Sequence, residues 1–392
     1  MSRLQELGLD QTGARRGWGL TLFAFALAFV ASIVSVGALR RLLLAMEMVD
    51  HPGQRRLHHA PIPRGGGLGI VGAAMSVMLL ASTNPVRSDL LSLNVGLLLV
   101  AGIGWWDDRR GLGIAPRLLV HALAGAAVWW WLAWHVPIMT PAASLWGGLS
   151  LIAVTTGVVV SINLHNFIDG ANGLLGIQAL FVLAMLSVLA LNLDPGLSFS
   201  MACSAGAIAG FLPWNFPKAR IFLGDVGSGA IGFLLAVFTL WALMTGSISL
   251  LEAALVHSLV LIDGLCTLAF RMYSGRRWWR AHREHLYQWL VRSGHSHARV
   301  VIVVQGWNLI MVLPLMLWLN GHPRNSGPSG GAELVAFDTG LEDPTDVVLV
   351  AAVFAVGVYT WWTTKRRLLR AHRAKWRYEK KYSAGTFEGG SS

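Results

Sequence analysis

Apolar runs of membrane-crossing length alternate with short polar stretches along this chain. A helix needs about 20 apolar residues to cross a ~30 Å hydrocarbon core. Runs of that order centre near residues 30, 75, 98, 126, 153, 182, 207, 236, 259, 310 and 354. Read as one span each, they predict an all-α polytopic integral membrane protein with about 11 transmembrane helices. The run from Leu20 to Leu39 exceeds the apolar core of a signal peptide, and no small-residue cleavage site follows it. It is expected to be retained as a helix.

Four polar clusters, each with a carboxylate, fall where a run ends or begins. They are Trp106-Asp107-Asp108-Arg109-Arg110, Asn163 to Gly170, Phe222 to Ser228, and Arg280-Ala281-His282-Arg283-Glu284-His285. Each is separated from the next by two apolar stretches or one very long one. A chain that crosses a membrane twice returns to the side it left, so all four clusters are predicted at one membrane face.

Composition agrees. The chain is 54% hydrophobic and 13% charged, and a soluble domain carries roughly twice that charged fraction. A net charge of +11 would suit nucleic acid, but its placement argues otherwise. Of 31 Lys and Arg, 26 lie in Arg40–Arg64, Arg109–Arg117, Lys218–Arg220, Arg271–Arg299 and Lys365–Lys381, one alternate set of loops plus the tail. The positive-inside rule makes that set cytoplasmic, and it holds all four clusters. Eleven spans put Arg15-Arg16 outside, against this trend. Cys203 and Cys266 lie in apolar runs and predict neither a disulfide nor a metal site.

The chain reads as a single integral membrane domain over residues 1–392. Residues 321–346, Gly/Pro-rich and then acidic, are expected to form a flexible periplasmic loop. Residues 365–392 are expected to form a basic cytoplasmic tail, either a solvated topogenic element or one drawn to anionic headgroups.

Several side chains could carry chemistry. Adjacent carboxylates such as Asp107 and Asp108 repel unless a cation or basic group lies between them. Arg109 and Arg110 would make them a solvated charge cluster; Mg²⁺ is the alternative, since hard cations take oxygen ligands. Asp225 could cap the helix that follows it. Its glycine-rich flank and Phe222 favour a functional role there, where helix N-termini attract phosphate. Asn163, Asn166, Asp169 and Asn172 recur every three residues, presenting amides and a carboxylate on roughly one face. Such a stripe either lines a cavity or bonds a neighbouring helix. His282 and His285, on one helical face among seven Arg from Arg271 to Arg299, suit protonatable phosphate donors. Zinc, with His295 and His297 added, lacks a Cys or a patterned acid. Asp263, mid-run, serves either a functional site or helix pairing. Gly67 to Gly72 spells a dinucleotide fingerprint with no strand before it. His51, His58 and His59 have no metal-ligand spacing.

Seven motifs run in order from Asp50 to about Arg299: Asp50-His51-Pro52, Arg55-Arg56-Leu57-His58, Pro61-Ile62-Pro63-Arg64-Gly65-Gly66, Asp107-Asp108, Asn163 to Gly173, Phe222 to Ser228, and His282 to Gln288. Together they resemble the polyprenyl-phosphate N-acetylhexosamine-1-phosphate transferases, glycosyltransferase family 4. These membrane enzymes start peptidoglycan, O-antigen, teichoic acid and N-glycan assembly. His-x-x-His-x-Tyr-Gln is closer to the bacterial O-antigen-initiating enzymes than to the peptidoglycan enzyme, which has adjacent histidines. Asn172 stands where Asp is commoner in the family and is left out of the core site.

The resemblance implies transfer of an N-acetylaminosugar-1-phosphate from UDP-N-acetylhexosamine to undecaprenyl phosphate, releasing UMP. It implies Mg²⁺, with Mn²⁺ as a substitute, and a site facing the cytoplasm at a bacterial inner membrane. Asp225 would be the metal ligand. Asp107 or Asp108 would deprotonate or orient the lipid phosphate, or join the metal shell. Asn163, Asn166 and Asp169 would hold the nucleotide–sugar side, and His282 and His285 the diphosphate. Arg56 and Lys218 are further phosphate contacts, and a homodimer is a candidate assembly. The rival reading is a membrane transporter or lipid flippase, which favours mid-bilayer charges and internal repeats. Here Asp263 alone is central and no repeat is evident. A phosphatidyltransferase of the CDP-alcohol type needs several Asp in one short motif, and Asp169 and Asp225 are too far apart.

Overall fold

The computed structural model describes residues 11–50, 61–81, 86–135, 145–277, 282–321 and 338–385. Arg56, His51, His58, His59, Arg280 and residues 322–337 of the expected periplasmic loop lie outside them. The helices are α1 Gln11–Ala45, α2 Gly67–Ala81, α3 Val86–Arg110, α4 Ile114–His135, α5 Leu145–Ile168, α6 Leu174–Ala190 and α7 Pro195–Asn215. They continue as α8 Gly224–Met244, α9 Leu250–Val256, α10 Ser258–Tyr273, α11 Leu286–Arg292, α12 His297–Gly321 and α13 Pro344–Gly385. A π-helical turn, Asn308–Val312, interrupts α12.

All eleven apolar runs fall on helices, the run near 259 on the pair α9–α10, which bends by 74°. Among the described residues, six helices are long and apolar enough to cross a membrane (α1, α5, α7, α8, α12 and α13), or seven with the bent pair. Helices α2 and α6 have 15 and 17 residues. At ~1.5 Å per residue they are shorter than a ~30 Å core.

The hub is α8, packed against α3 and α5 and touching α2, α6 and α7. Of its apolar window 83% is buried, against 22% for α1 and α5 and 17% for α13. Outer helices expose large apolar side chains such as Leu20, Phe23, Ile152 and Val348. Lipid is as apolar as these side chains, so helices associate through close backbone approach rather than hydrophobic burial. Gly67 shows this: a Cβ there would run into the Gly227 backbone of α8. Gly69 lies against Val36 of α1 in the same way. Two of the three fingerprint-like glycines, Gly67 and Gly69, are thus a helix-packing device, while a Cβ at Gly72 would meet nothing.

The segment before α2 brings one motif onto another. β1 (Val49–Asp50) pairs antiparallel with β2 (Ile62–Pro63), with Val49 opposite Pro63. Arg64 then bridges to Phe222. The Gly66 and Gly67 N–H groups donate to the Phe222 and Leu223 carbonyls at 2.8 and 2.9 Å. The Pro61–Gly66 motif is thereby sewn to the start of α8, and Arg64 is delivered to the site.

Candidate active site

All four polar clusters meet at one end of the bundle. Asp107 and Asp108 occupy the last turn of α3, Asn163 and Asn166 the last turns of α5, and Asp225 the first turn of α8. Asp225 is the junction. Its Oδ1 accepts from Arg64 Nη2 at 3.0 Å and from Asn166 Nδ2 at 3.1 Å, and its Oδ2 lies 3.6 Å from Arg117 Nη1. Asn166 also donates to Ser228 Oγ at 2.9 Å. Asp225 does not cap its own helix by a side-chain bond.

The capping belongs to Asp108. Its two oxygens accept the Asp225 and Val226 N–H groups at 2.9 and 3.1 Å, and Arg64 Nε lies 2.7 Å away. A helix start leaves backbone donors without partners, and a carboxylate from another helix satisfies two of them here. Gly224 makes this approach feasible: it sits at φ 77°, and a Cβ there would strike Asp108 Oδ2. Asp107 instead accepts from Arg117 Nη1 and from the Leu112 N–H, both at 2.5 Å. The adjacent acids are thus neither a solvated pair nor equivalent: each has a basic partner, Arg117 or Arg64.

Arg117, His121, Asn163, Asn166 and Asp225 line a recess among α3, α4, α5 and α8, walled by Ile103 and Ile162. His121 is buried, and its Nδ1 has no partner within the protein. Asn163 donates from Nδ2 to the Val159 carbonyl at 2.7 Å. Asp169 lies half-buried in the turn after α5. Burial first, then the charges of Asp225 and Asp108, push its carboxyl well above the usual carboxylate range, with Arg64 opposing them.

The histidine cluster reaches the same end through α5. His282 and His285 stack with ring centres 5.2 Å apart, and Phe167 lies 5.8 and 5.7 Å from them. Tyr287 Oη donates to the Phe167 carbonyl at 2.7 Å. One helical face is expected for the pair, but residues 282–285 are non-helical and His285, with extended dihedrals, precedes α11, so loop geometry stacks the rings. Both His282 nitrogens and His285 Nε2 are buried without a protein partner, and buried polar atoms are rarely left so. Asp263 belongs to this cluster: it accepts from Leu286 N–H at 2.8 Å and lies 3.2 Å from His285 Nδ1.

Asn172, left out of the core site, and Lys218, expected as a phosphate contact, stand apart. Asn172 donates from its backbone to His297 Nδ1 at 3.1 Å and from Nδ2 to the Pro217 carbonyl at 3.3 Å. An aspartate could not make the second bond, so this Asn staples a loop. Lys218 is exposed beside that loop. Sequence reasoning missed Arg117 and His121, whose only signal was a place one turn apart on the helix after the acid pair. Arg64 was visible within its motif, but its task was not.

The family model for glycosyl transferase family 4 matches residues 90–243, taking in three of the four clusters. The chain is 32% identical to the decaprenyl-phosphate N-acetylglucosaminephosphotransferase of Mycobacterium tuberculosis, over 79% of this chain and 86% of that one. The protein of the same name from Mycobacterium leprae is 31% identical over 79% of this chain and 85% of its own. A phospho-N-acetylmuramoyl-pentapeptide-transferase of Thermosynechococcus vestitus is 30% identical over 64% of this chain and 70% of its own. Similarity of this extent, with the acid clusters inside the matched segment, places the chain in glycosyl transferase family 4, as an enzyme of the polyprenyl-phosphate sugar-phosphate transferases.

Proposed function

We propose that this enzyme transfers an N-acetylhexosamine-1-phosphate from a UDP-sugar to undecaprenyl phosphate, giving undecaprenyl-diphospho-sugar and UMP. The reaction would open O-antigen or other cell-surface glycan assembly. The observation that carries the reading is the convergence of Arg64, Arg117 and Asn166 on Asp225 at a recess. In net chemistry, the donor β-phosphorus loses its bond to the UMP oxygen and gains one to an oxygen of the acceptor phosphate. Both reactants are anionic, so fixed positive charge must offset their repulsion. Arg117, between Asp107 and Asp225, is the guanidinium lining the recess. Asn163, Asn166 and Asp169 flank the nucleotide–sugar side, and His282 and His285 the diphosphate. The positive-inside distribution favours a cytoplasm-facing site in a bacterial inner membrane.

The oxygen donors suit Mg²⁺, with Mn²⁺ as a substitute. Among the described residues no three His, Cys, Asp or Glu form a ready metal cage. Mg²⁺ commonly takes one or two carboxylates, with substrate phosphates and water completing its shell. Asp225, lining the recess and 21% exposed, would hold it. When bound, the cation would offset charge on the diphosphate. Asp108, both oxygens committed to α8, is the positioning acid of the pair.

Purified enzyme with Mg²⁺, undecaprenyl phosphate and UDP-N-acetylglucosamine, the sugar named in the mycobacterial relatives, should release UMP, and a chelator should stop it. No release with any UDP-N-acetylhexosamine overturns the reading. A transporter or flippase, which none of these matches favours, would move its cargo without forming UMP.

Protonation of His282 supplies a second check. Burial first, then the His285 and Arg271 charges, lowers its pKa to about 4, so it is neutral at pH 7 without ligand. An anionic diphosphate beside it raises that value, so binding takes up protons and affinity increases as pH falls below neutral. Calorimetry of UDP-N-acetylhexosamine binding, without the lipid acceptor, in buffers of different ionisation enthalpy should show net proton uptake, lost in His282→Gln. Uptake equal in both proteins removes His282 from the diphosphate.

A further inference from the structure

The C-terminal helix carries a buried cation that neither topology nor the proposed chemistry accounts for. Lys365 on α13 is 1% exposed, on a helix whose Arg366 and Arg367 face outward. Its ammonium lies 5.3, 5.4 and 5.7 Å from the ring centres of Trp289, Trp361 and Phe270. It donates to the carbonyl of Glu284, the residue just before His285. A desolvated ammonium among aromatic rings is held far more firmly than one in water.

One turn earlier on α13, Trp361 is 3% exposed and donates its Nε1–H to Asp263 Oδ1 at 2.8 Å. That carboxylate also takes the Leu286 N–H and, through Oδ2, stands against His285 Nδ1. The Glu284 side chain points elsewhere, to Arg271 and Arg276 at 2.7 Å each. Helix α13 therefore grips the histidine stretch at two successive turns, once through the Glu284 backbone and once through Asp263.

We propose that Lys365 and Trp361 are positioning residues, fixing the Glu284–Leu286 backbone so that the unpartnered nitrogens of His282 and His285 face the donor diphosphate. This rests on the proposed function for what the histidines bind, but the grip itself can be read without turnover.

The test compares full-length Lys365→Met, Lys365→Arg and Trp361→Phe with Arg367→Met, an exposed control on the same helix. In hydrogen–deuterium exchange, Lys365→Met and Trp361→Phe should speed exchange over residues 284–292 and leave residues 222–230 unchanged. In assays, Lys365→Met should raise the KM for the UDP-sugar about tenfold or more, since small misplacements of contact groups have effects of that order. The KM for undecaprenyl phosphate should not move. Lys365→Arg, which keeps a donor and a cation for the rings, should recover most of the loss, and Arg367→Met should match wild type. Unchanged exchange over 284–292 in both Lys365→Met and Trp361→Phe overturns the proposal. So does lower kcat at unchanged donor KM, the mark of a merely structural residue. A wild-type protein that releases no UMP instead overturns the proposed function and leaves the exchange result to decide the grip.

Discussion

Asp225→Asn lowers UMP release by about 10³-fold and leaves the fold standing. Asn has nearly the same shape and keeps an oxygen that can accept from Arg64 Nη2 and Asn166 Nδ2, at 3.0 and 3.1 Å in the native protein. The side chain is 21% exposed, so a neutral amide there leaves no deeply buried group unpaired. What disappears is the negative charge among Arg64, Arg117 and the recess. Removing one preorganised polar group from a reaction centre typically costs 10²–10³ in rate, about 3–4 kcal/mol. A thermal melt in detergent, run beside the assay, should show a stability change within about 1 kcal/mol. A rate within about tenfold of wild type would remove Asp225 from the centre.

Asp108→Ala does the reverse and unfolds more readily than any other change in the acid set. Its side chain is fully buried and serves three donors: Arg64 Nε at 2.7 Å and the Asp225 and Val226 N–H groups that it caps on α8. Breaking a buried charge pair commonly costs 3–5 kcal/mol, and losing a cap adds about 1. Arg64 is 38% exposed and can regain water, so about 3 kcal/mol is expected in total. The readout is the melting midpoint in detergent, well below that of Asp225→Asn. Activity falls too, because α8 sets the place of Asp225. An Asp108→Ala protein as stable as wild type but inactive would show the carboxylate works on substrate rather than on the helix.

The contrast between these acids marks the limit of what the sequence could tell. Apolar runs located the helices, because lipid demands long uninterrupted stretches. Cluster spacing brought Asp107, Asn166, Asp225 and His282 to one end of the bundle. It could not divide labour within a cluster. Asp107 and Asp108 are neighbours in sequence, yet on a helix their side chains diverge by about 100°. One therefore meets Arg117 while the other reaches α8. Basic residues misled for a related reason. Arg64, Arg117 and Lys365 were counted as topogenic charge, and a count by loop cannot show that each ends beside a carboxylate or inside a ring box. Asp263 was visible as an unusual intramembrane acid, but its partners Trp361 and His285 lie 98 and 22 residues away in sequence. Asn172 looked like a departure and turned out to need its amide.

In the proposed reaction a phosphorus atom, not only a sugar, moves to the lipid. Wild-type enzyme should be supplied with undecaprenyl phosphate, Mg²⁺ and a UDP-N-acetylhexosamine radiolabelled at the β-phosphate. The label should enter the lipid fraction in step with UMP release. Label that stays in the aqueous phase as UDP while the sugar reaches the lipid, or no lipid labelling with any donor of this class, would contradict it.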